Sequence, residues 1–324
     1  MSGATSLCHR TGIYPIELPT WFDVGPVNVF LCKHEALTLV DAGVNTDAAW
    51  AALEHGLEHW GVTVRDLERI ILTHHHIDHT GLLERILEVN PVEICAHPDT
   101  LLHIENDYSY DEEHSALSRE FYASFGVPAE VFERYVPFWS NFCHLSVRFP
   151  VARLLEDAGN VGRFTAYFVP GHSPTDTLLV DPATGVTLSG DHILEHINPN
   201  PMLRNPLPGR PRPKGLVEYQ ASLARTRSLD LSVCLPGHGA PFLEHRRVID
   251  GILAAQARRR EQVRALLAPE GVTPYELVRI LYPDRPEKEL RLCLSVACGH
   301  LECLEQDGQA TCEPHEGVWH YYPR

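Results

Sequence analysis

The stretch Thr73–Gly81, which reads THHHIDHTG, places four histidines and one aspartate within six residues, and three of the histidines form with the aspartate the order His-x-His-x-Asp-His. The largely apolar run Leu67–Leu72 before it predicts a buried strand, and Leu82–Val89 after it predicts a helix. Side chains that follow the carboxyl end of a strand can turn toward one point in space. Because neutral imidazole and carboxylate together suit zinc, iron or manganese, the stretch predicts part of a metal site.

Three later segments repeat the same arrangement, in which an apolar, β-rich run ends in a glycine turn with one metal-competent side chain. The runs and their turns are Phe164–Pro170 with Gly171–Pro174, Gly185–Ser189 with Gly190 and Asp191, and Leu231–Leu235 with Pro236–Gly239. The alternative interpretation is a set of unrelated surface histidines, since the chain contains 20 of them. Four occurrences in order along the chain favour a single metal site.

With these motifs the chain resembles the metallo-β-lactamase fold superfamily of hydrolases, including its glyoxalase II-like members, over about residues 12 to 240. The resemblance implies an α/β fold, a four-layer αββα sandwich, and two divalent metal ions, zinc with iron or manganese as alternatives. The turn Val40–Gly43 matches the family's early Asp-x-Gly signature, which makes Asp41 a residue that orients ligands. The ligands implied by the resemblance are His74, His76 and His172 for the first metal, Asp78, His79 and His238 for the second, and Asp191 bridging both.

A hydrolytic mechanism follows from two such metals without a serine or cysteine nucleophile. Two divalent cations a few ångströms apart can share a water and lower its pKa from about 15.7 to near neutrality. The bridging hydroxide then attacks a carbonyl or phosphoryl group while the cations hold the developing negative charge. Asp78 and Asp191, the carboxylates of the set, are the predicted catalytic residues. The prediction is a dinuclear, metal-dependent hydrolase.

Length and composition are typical of a globular protein with more than one domain. The chain has 324 residues, of which 44% are hydrophobic, and a formal net charge of −16. No apolar run reaches the roughly 18 residues that cross a bilayer, and the sequence does not begin with a signal-like pattern, so no membrane partner is expected. The nine cysteines form no CxxC pair. We interpret them as buried, free thiols and expect a cytoplasmic location.

A catalytic domain is predicted over residues 1–240, with a helical insertion at 105–160. Helices are expected over Ser115–Phe125 and Ala129–Phe142, both rich in aromatic residues. Two interpretations stay open: the aromatic side chains pack onto the core, or the helices form a lid with an apolar pocket over the metals. The aromatic residues concerned are Phe121, Tyr122, Phe125, Phe132, Tyr135, Phe138 and Trp139.

A proline-rich segment, Asn198–Gly215, follows the predicted bridging carboxylate and contains no acidic residue. Its cations are Arg204, Arg210, Arg212 and Lys214. The segment is either a solvated connector or a stiff cationic rim for a small anionic substrate, such as one carried on CoA. In the second case Arg210 and Arg212 are the predicted substrate-binding residues. His192, which directly follows the bridging carboxylate, is a further candidate for contact with substrate.

Residues 241–324 predict a long helix followed by a small module that resembles the winged-helix extension of long superfamily members. The predicted elements are a helix over Leu243–Leu267, a helix that starts at Thr273 and Pro274, a helix over Pro286–Leu304, and a hairpin of Asp307–Cys312 and Val318–Tyr322. From residue 272 to 324, nine acidic residues outnumber five basic ones, so a nucleic-acid partner is not expected. The expected roles of this region are packing on the catalytic domain, closing one side of the site, or a homodimer contact.

The fold alone does not define the substrate, because it hosts many reactions. Hydrolysis of a thioester, on CoA, glutathione or a carrier protein, is the leading hypothesis. A thiolate whose conjugate thiol has a pKa of about 8.5 leaves without a strong general acid. The alternatives are a phosphodiesterase or endoribonuclease, which the acidic charge disfavours, and a lactonase or β-lactamase. A metal-binding sensor without turnover and a flavin-linked redox protein are further alternatives.

Overall fold

The computed structural model describes residues 10–108, 112–143 and 145–324, which form two compact units. The first unit comprises Met1–Ile104, Leu145–Pro199 and Ser222–Ile249, and the second comprises Glu105–His144, Asn200–Ala221 and Asp250–Arg324. The two units therefore alternate along the chain, whereas the boundary at residue 240 drawn from the sequence separates two continuous segments. Across the described ranges, no helix is both long enough and apolar enough to cross a membrane.

The first unit contains a six-stranded mixed sheet with the order β1-β2-β3-β4-β5-β6. Its strands are β1 (Ile13–Leu18), β2 (Val27–Lys33), β3 (Leu37–Val40), β4 (Arg69–Ile71), β5 (Glu93–Ala96) and β6 (Arg153–Leu154). The strands β1 to β3 are antiparallel neighbours, and β3 to β6 run parallel. Because β3 and β4 are parallel, their carboxyl ends meet at one edge of the sheet, where Asp41 and the His-rich stretch follow.

A second, five-stranded sheet of the same unit has the order β11-β10-β9-β8-β7. Its strands are β7 (Gly159–Val161), β8 (Phe164–Phe168), β9 (Thr177–Val180), β10 (Val186–Gly190) and β11 (Val233–Pro236). The pair β10 and β11 is parallel, and the other neighbours are antiparallel. Asp191 follows β10 and His238 follows β11, so the parallel pairing places both side chains at the same end of the sheet.

The inner faces of the two sheets share one apolar core. The first sheet contributes Ile13, Phe30, Cys32, Val40, Ile71 and Cys95, and the second contributes Phe164, Ala166, Leu179, Leu188, Val233 and Leu235. Burial of this apolar surface is the main force that holds the sheets face to face. The predicted α/β class is confirmed by these two mixed sheets and the helices that accompany them.

Helices connect the strands and continue beyond them. Those of the described residues are α1 (Asp47–His59), α2 (Ile77–Thr80), α3 (Leu83–Val89), α4 (Thr100–Tyr108), α5 (Glu112–Ser124), α6 (Ala129–Cys143), α7 (Gly215–Ser228), α8 (His245–Arg264), α9 (Pro274–Leu281) and α10 (Leu290–Gln306). The start of α1 is capped by Thr46, whose hydroxyl accepts a hydrogen bond from the Ala49 amide at 3.1 Å. Its buried side chains recur every four residues, at Ala49, Leu53 and Leu57.

The second unit has its own core, built by helices α5, α6, α9 and α10 and by the hairpin of β12 (Ala310–His315) and β13 (Val318–Pro323). Four aromatic side chains of the predicted insertion, Tyr122, Phe125, Phe132 and Tyr135, are buried in that core. Core packing is therefore confirmed for these four. The side chain of Trp139 lies outside the described residues.

The start of α9 follows the signals that the sequence carries. The Thr273 hydroxyl accepts a hydrogen bond from the Glu276 amide at 3.1 Å, and the Glu276 carboxylate accepts one from the Thr273 amide at 2.8 Å. Pro274 occupies the first helical turn, where its missing amide hydrogen is no loss. The predicted helix start is confirmed by this reciprocal capping box.

Candidate metal centre

The His-rich stretch lies in the loop after β4 and in the short helix α2. His76 is the N-cap of α2 and has an extended backbone, so His74 and His76 both precede the helix. Asp78 and His79 lie inside its single turn. The helix predicted over Leu82–Val89 is confirmed as α3, and the short helix α2 before it is an element that the sequence did not predict. The turn of α2 directs Asp78 and His79 toward the same side as the histidines before it.

Three histidines bring their ring nitrogens together in a first group. His74 Nε2 and His172 Nε2 each lie 3.0 Å from His76 Nδ1. Burial, together with the nearby His79, holds the pKa of His74 well below its ordinary value, and burial likewise lowers the pKa of His172. The imidazoles of His74 and His172 are therefore neutral at pH 7 and have lone pairs to offer a metal.

Asp78, His79 and His238 form a second group. His238 Nε2 lies 3.3 Å from Asp78 Oδ2, and His79 Nε2 lies 4.0 Å from the same oxygen. Burial opposes a charge on His79, but the carboxylates of Asp41, Asp191 and Asp78 outweigh it and raise the pKa of His79 well above its ordinary value. The second group is thus held in a strongly negative environment that favours a cation.

Asp191 lies between the two groups. Its Oδ2 is 3.7 Å from His172 Nε2 in the first group, and 3.6 and 3.5 Å from the Nε2 atoms of His79 and His238 in the second. Burial opposes its charge, but the surrounding His238 and His79 hold the pKa of Asp191 well below its ordinary value. One carboxylate therefore faces both groups in its ionised form.

The buried atoms of this centre fit two cations. His79 Nε2, His238 Nε2 and Asp191 Oδ1 make no hydrogen bond of good geometry with any of the described residues. A buried polar atom left without a partner costs about 1 to 3 kcal/mol, so three at one place call for a ligand. In each of the two groups the ligand atoms lie within 4.8 Å of one another. A set of imidazole nitrogens and carboxylate oxygens fits divalent zinc, iron or manganese.

Hydrogen bonds behind the imidazoles aim them at the centre. The Asp41 carboxylate contacts His79 Nδ1 at 2.8 Å and accepts hydrogen bonds from the Thr73 hydroxyl and amide at 2.7 and 2.8 Å. The Thr73 hydroxyl also lies 3.1 Å from His74 Nδ1, and the carbonyl oxygen of Pro26 lies 2.8 Å from His238 Nδ1. A ring whose Nδ1 is held in this way presents Nε2 to a metal.

Two glycines permit the close approach of these groups. A Cβ at Gly237 would overlap the Asp191 carboxylate and lie 2.7 Å from His79 Cε1. Gly190 has a φ of +47°, and a Cβ there would lie 2.7 Å from Thr73 Oγ1. Both positions therefore require glycine for space, and Gly190 also for its backbone conformation.

Asn28 is a functional residue that the sequence reasoning missed. Its side-chain amide donates hydrogen bonds to the carbonyl oxygens of Pro236 at 3.0 Å and Gly239 at 2.8 Å, and its backbone amide donates to Gly237 at 2.7 Å. These bonds attach strand β2 to the turn that carries His238. The available signal was a single polar residue inside the buried strand VNVFLCK.

The remaining predicted contacts have other partners. His75 points away from both groups, as predicted, and its Nδ1 lies 2.8 Å from Thr175 Oγ1. His192, predicted to contact substrate, is only 1% exposed, and its Nε2 lies 2.8 Å from Thr226 Oγ1. Burial, assisted by the charge of His172, lowers the pKa of His192 to about 3. The structure thus places His192 in the packing of α7.

The cations of the proline-rich segment are mostly engaged within the second unit. Arg204 pairs with Asp107, Arg212 with Glu302, and Lys214 with Glu305. Arg210 is exposed. The expectation of an open cationic rim therefore needs correction for Arg212, because its guanidinium is held by a buried carboxylate and lies over the ring of Phe125.

Comparison with known proteins agrees with this fold and centre. Residues 22–238 match the family model of the metallo-beta-lactamase superfamily. A Bacillus subtilis (strain 168) protein described as "Probable metallo-hydrolase YqjP" is 33% identical over 301 residues, which covers 92% of this chain and 94% of the relative. The chain belongs to the metallo-beta-lactamase superfamily and is a metallo-hydrolase of that family.

Two solved structures share the architecture over nearly the whole chain. The metallo-beta-lactamase family protein TTHA1429 from Thermus thermophilus is 26% identical, with a TM-score of 0.79 over 97% of this chain and 99% of the other. A beta-lactamase domain protein from Burkholderia ambifaria is 24% identical, with a TM-score of 0.78 over 97% and 92% of the two chains. At this sequence identity, the second similarity shows a shared fold only.

Proposed function

We propose that this protein is a dinuclear metal hydrolase that acts on thioesters. The observation that carries the dinuclear part is the position of Asp191 Oδ2, which lies 3.5 to 3.7 Å from imidazole nitrogens of both groups. A carboxylate that faces both groups in this way is suited to bridge two metal ions. The supporting ligand set is His74, His76 and His172 for one ion, Asp78, His79 and His238 for the other, and Asp191 for both.

The proposed ions are zinc. Five imidazoles and two carboxylates in compact groups suit zinc, and iron or manganese are the alternatives that metal analysis would reveal. When bound, such ions lower the pKa of a water and polarise the bond to be cleaved. The chain's own contribution is to orient the imidazoles through Asp41 and Thr73, to keep His74 and His172 neutral by burial, and to keep Asp191 ionised.

A thioester is proposed because its leaving group needs little help. The side chains that converge at the centre are imidazoles and carboxylates that the metals would occupy. A thiolate with a conjugate pKa of about 8.5 departs at neutral pH without a proton donor, whereas an amine or alkoxide requires one. A small anionic thioester, of the CoA or glutathione type, is therefore the proposed substrate class.

We also propose a cytoplasmic location. Eight cysteines of the described residues are free, and those of the first unit, Cys32, Cys95 and Cys234, are buried. Free thiols are typical of a reducing compartment. Fractionation of the native host, with the protein followed by antibody, tests this location, and recovery outside the cytoplasm would refute it.

The deciding experiment follows the thioester absorbance directly with protein whose zinc content has been measured. A panel of acyl-CoA and acyl-glutathione substrates is compared with a phosphodiester, a lactone and a β-lactam. We expect turnover of at least one thioester, abolished by a chelator and restored by zinc. Turnover confined to the phosphodiester, lactone or β-lactam would refute the thioester proposal and retain the dinuclear centre.

Three variants test the centre itself. His76→Ala and Asp191→Ala should each lower the metal content and abolish turnover, because each removes a ligand that no other side chain replaces. His196→Ala is the matched control, since its ring lies close in sequence but is 86% exposed. Wild-type turnover in either ligand variant would refute the assignment of the centre.

A further inference from the structure

The second unit contains an open cleft of about 560 Å³ that is built entirely from its own residues. Helices α5 and α6 form its walls, the proline-rich segment closes one side, and the first turns of α10 close another. Part of this volume is open to solvent. A small organic ligand can therefore enter the cleft from outside and bury part of its surface there.

One side of the cleft is apolar. It is lined by Phe121, Phe132, Val136 and Leu203. The ring of Phe132 packs against that of Tyr122, with centroids 5.2 Å apart, so this wall is part of the hydrophobic core of the unit. A wall of this composition accepts an aryl group or a branched acyl chain.

The rest of the lining includes polar groups, among them Arg291 and the Asp107 carboxylate, which pairs with Arg204. Tyr122 and Tyr135 line the cleft, and their hydroxyls are hydrogen-bonded to each other. Burial raises the pKa of both phenols, while the positive charge of Arg291 acts on both in the opposite direction. Both hydroxyls therefore stay protonated at pH 7, and the Arg291 guanidinium is close enough to both to influence their ionisation.

Hydrogen bonds fix the polar side chains that line the cleft. Arg291 Nε donates to the Leu203 carbonyl oxygen at 2.9 Å, which ties α10 to the proline-rich segment. Asn205 Nδ2 donates to Ser118 Oγ at 3.1 Å, which ties the same segment to α5. A site whose polar groups are held in place loses little conformational entropy when a ligand binds.

We propose that this cleft binds a small organic carboxylate with an apolar body, its carboxylate directed at Arg291 and the tyrosine hydroxyls. A guanidinium with a neighbouring hydroxyl matches the two oxygens of a planar carboxylate. The apolar residues of the lining would hold the aryl or acyl part. A carboxylate is also the acid that thioester hydrolysis releases, but binding in the cleft does not depend on that reaction.

The test is calorimetry with phenylbutyrate and its uncharged analogue phenylbutanol, on the full-length, zinc-loaded protein. We expect phenylbutyrate to bind at least about tenfold more tightly, since a charged hydrogen bond contributes about 1.5 to 3 kcal/mol. Arg291→Met should remove that preference and leave the affinity for phenylbutanol unchanged. Equal affinities for acid and alcohol in the wild type would overturn the proposal.

A second pair of variants keeps the proposal testable if Arg291→Met does not fold. Ser115→Trp adds a large ring at the lining of the cleft and should abolish phenylbutyrate binding. Leu117→Trp is the matched control on the same helix, because Leu117 is 52% exposed and does not line the cleft. Undiminished binding in Ser115→Trp would exclude the cleft as the site.

Binding at the metal centre is the competing explanation for any carboxylate. His172→Ala should therefore bind phenylbutyrate with wild-type affinity, since the cleft lies among residues of the other unit. Loss of binding in His172→Ala together with retention in Ser115→Trp would assign the carboxylate to the metal centre and overturn the proposal.

Discussion

Replacement of Asp41 by asparagine isolates the orienting role of its carboxylate. Asp41 has a φ of +61°, in the left-handed region that asparagine tolerates better than most residues, so the backbone is little disturbed. The two carboxylate oxygens together face the amide and hydroxyl of Thr73 and the Nδ1–H of His79. In asparagine, an NH₂ donor replaces one of the two acceptor oxygens. In either orientation of the amide, this NH₂ group therefore faces a group of Thr73 or His79 that donated to the lost oxygen.

The expected loss is in metal affinity and is confined mainly to one ion. If the new NH₂ group faces His79, the ring moves its proton to Nε2, which removes the lone pair that a metal needs. Loss of such an orienting partner weakens metal binding by about 10- to 100-fold, which corresponds to about 1.4 to 2.7 kcal/mol. His79 belongs to the second group with Asp78 and His238, so the ion of that group should be affected most.

A zinc titration against a chromophoric chelator measures both ions separately. The wild type should take up two tightly held equivalents, and Asp41→Asn one tight and one weakened equivalent. Asp157→Asn is the control, because that carboxylate is half exposed, pairs with Arg225 and belongs to neither group of candidate ligands. Two equivalents of wild-type affinity in Asp41→Asn, accompanied only by a lower melting temperature, would show that Asp41 supports the fold and does not tune the metal.

Three further changes have defined outcomes. Gly237→Ala should lower the metal content, because the new Cβ overlaps the Asp191 carboxylate. Gly251→Ala is the control: its Cβ meets open space in α8, so the variant should retain metal and gain about 0.5 to 1 kcal/mol of stability. Equal metal loss in both variants would contradict the steric argument. His300 is 4% exposed, and burial, with help from Arg260 and Arg259, lowers its pKa to about 4. His300 in the unfolded chain binds a proton at a higher pH than in the folded protein, so the free energy of unfolding should fall by about 3 kcal/mol as the pH drops from about 6.5 to 4. His300→Leu should remove this contribution to the pH dependence of stability measured by urea unfolding. An unchanged slope would show that the neutral ring is not favoured by the fold. Arg212→Met leaves the carboxylate of Glu302 buried without its partner and should lower the free energy of unfolding by about 3 to 5 kcal/mol. The double variant Arg212→Met, Glu302→Leu should recover most of that loss. If it does not, the guanidinium contributes through its packing instead.

Strands and helices with regular apolar patterns were predictable from the sequence. The strand expected over Leu67–Leu72 is observed as the shorter β4, and the helix expected over Leu243–Leu267 is observed as the shorter α8. Strand β1 was not predicted, because Pro15 interrupts the run IYPIEL and proline is unfavourable within a sheet. The structure accommodates it since β1 lies at the edge of its sheet and pairs with β2 alone.

The candidate ligands could be located because each follows a strand at a recognisable turn. The partners of the side chains around them could not, because hydrogen bonds and ion pairs join residues that are remote in sequence. Arg212 pairs with Glu302, 90 positions later, and a local composition of cations without acids gives no sign of it. The space requirement at Gly237 is equally invisible in the sequence, since it arises from Asp191 and His79 on other segments.

Asn28 shows why the core and the metal centre cannot be separated. Every other residue of β2 from Val27 to Cys32 is an apolar side chain of the buried sheet, and an amide there would be costly if its hydrogen bonds were unmade. Instead it donates to Pro236 and Gly239, on the turn that holds His238, while β2 itself belongs to the first sheet. The ligands of the second group come from both sheets, so the distance between Asp78 and His238 depends on how the sheets are joined at this edge. A polar residue in a core strand thus joins the sheets where the ligands of both must meet.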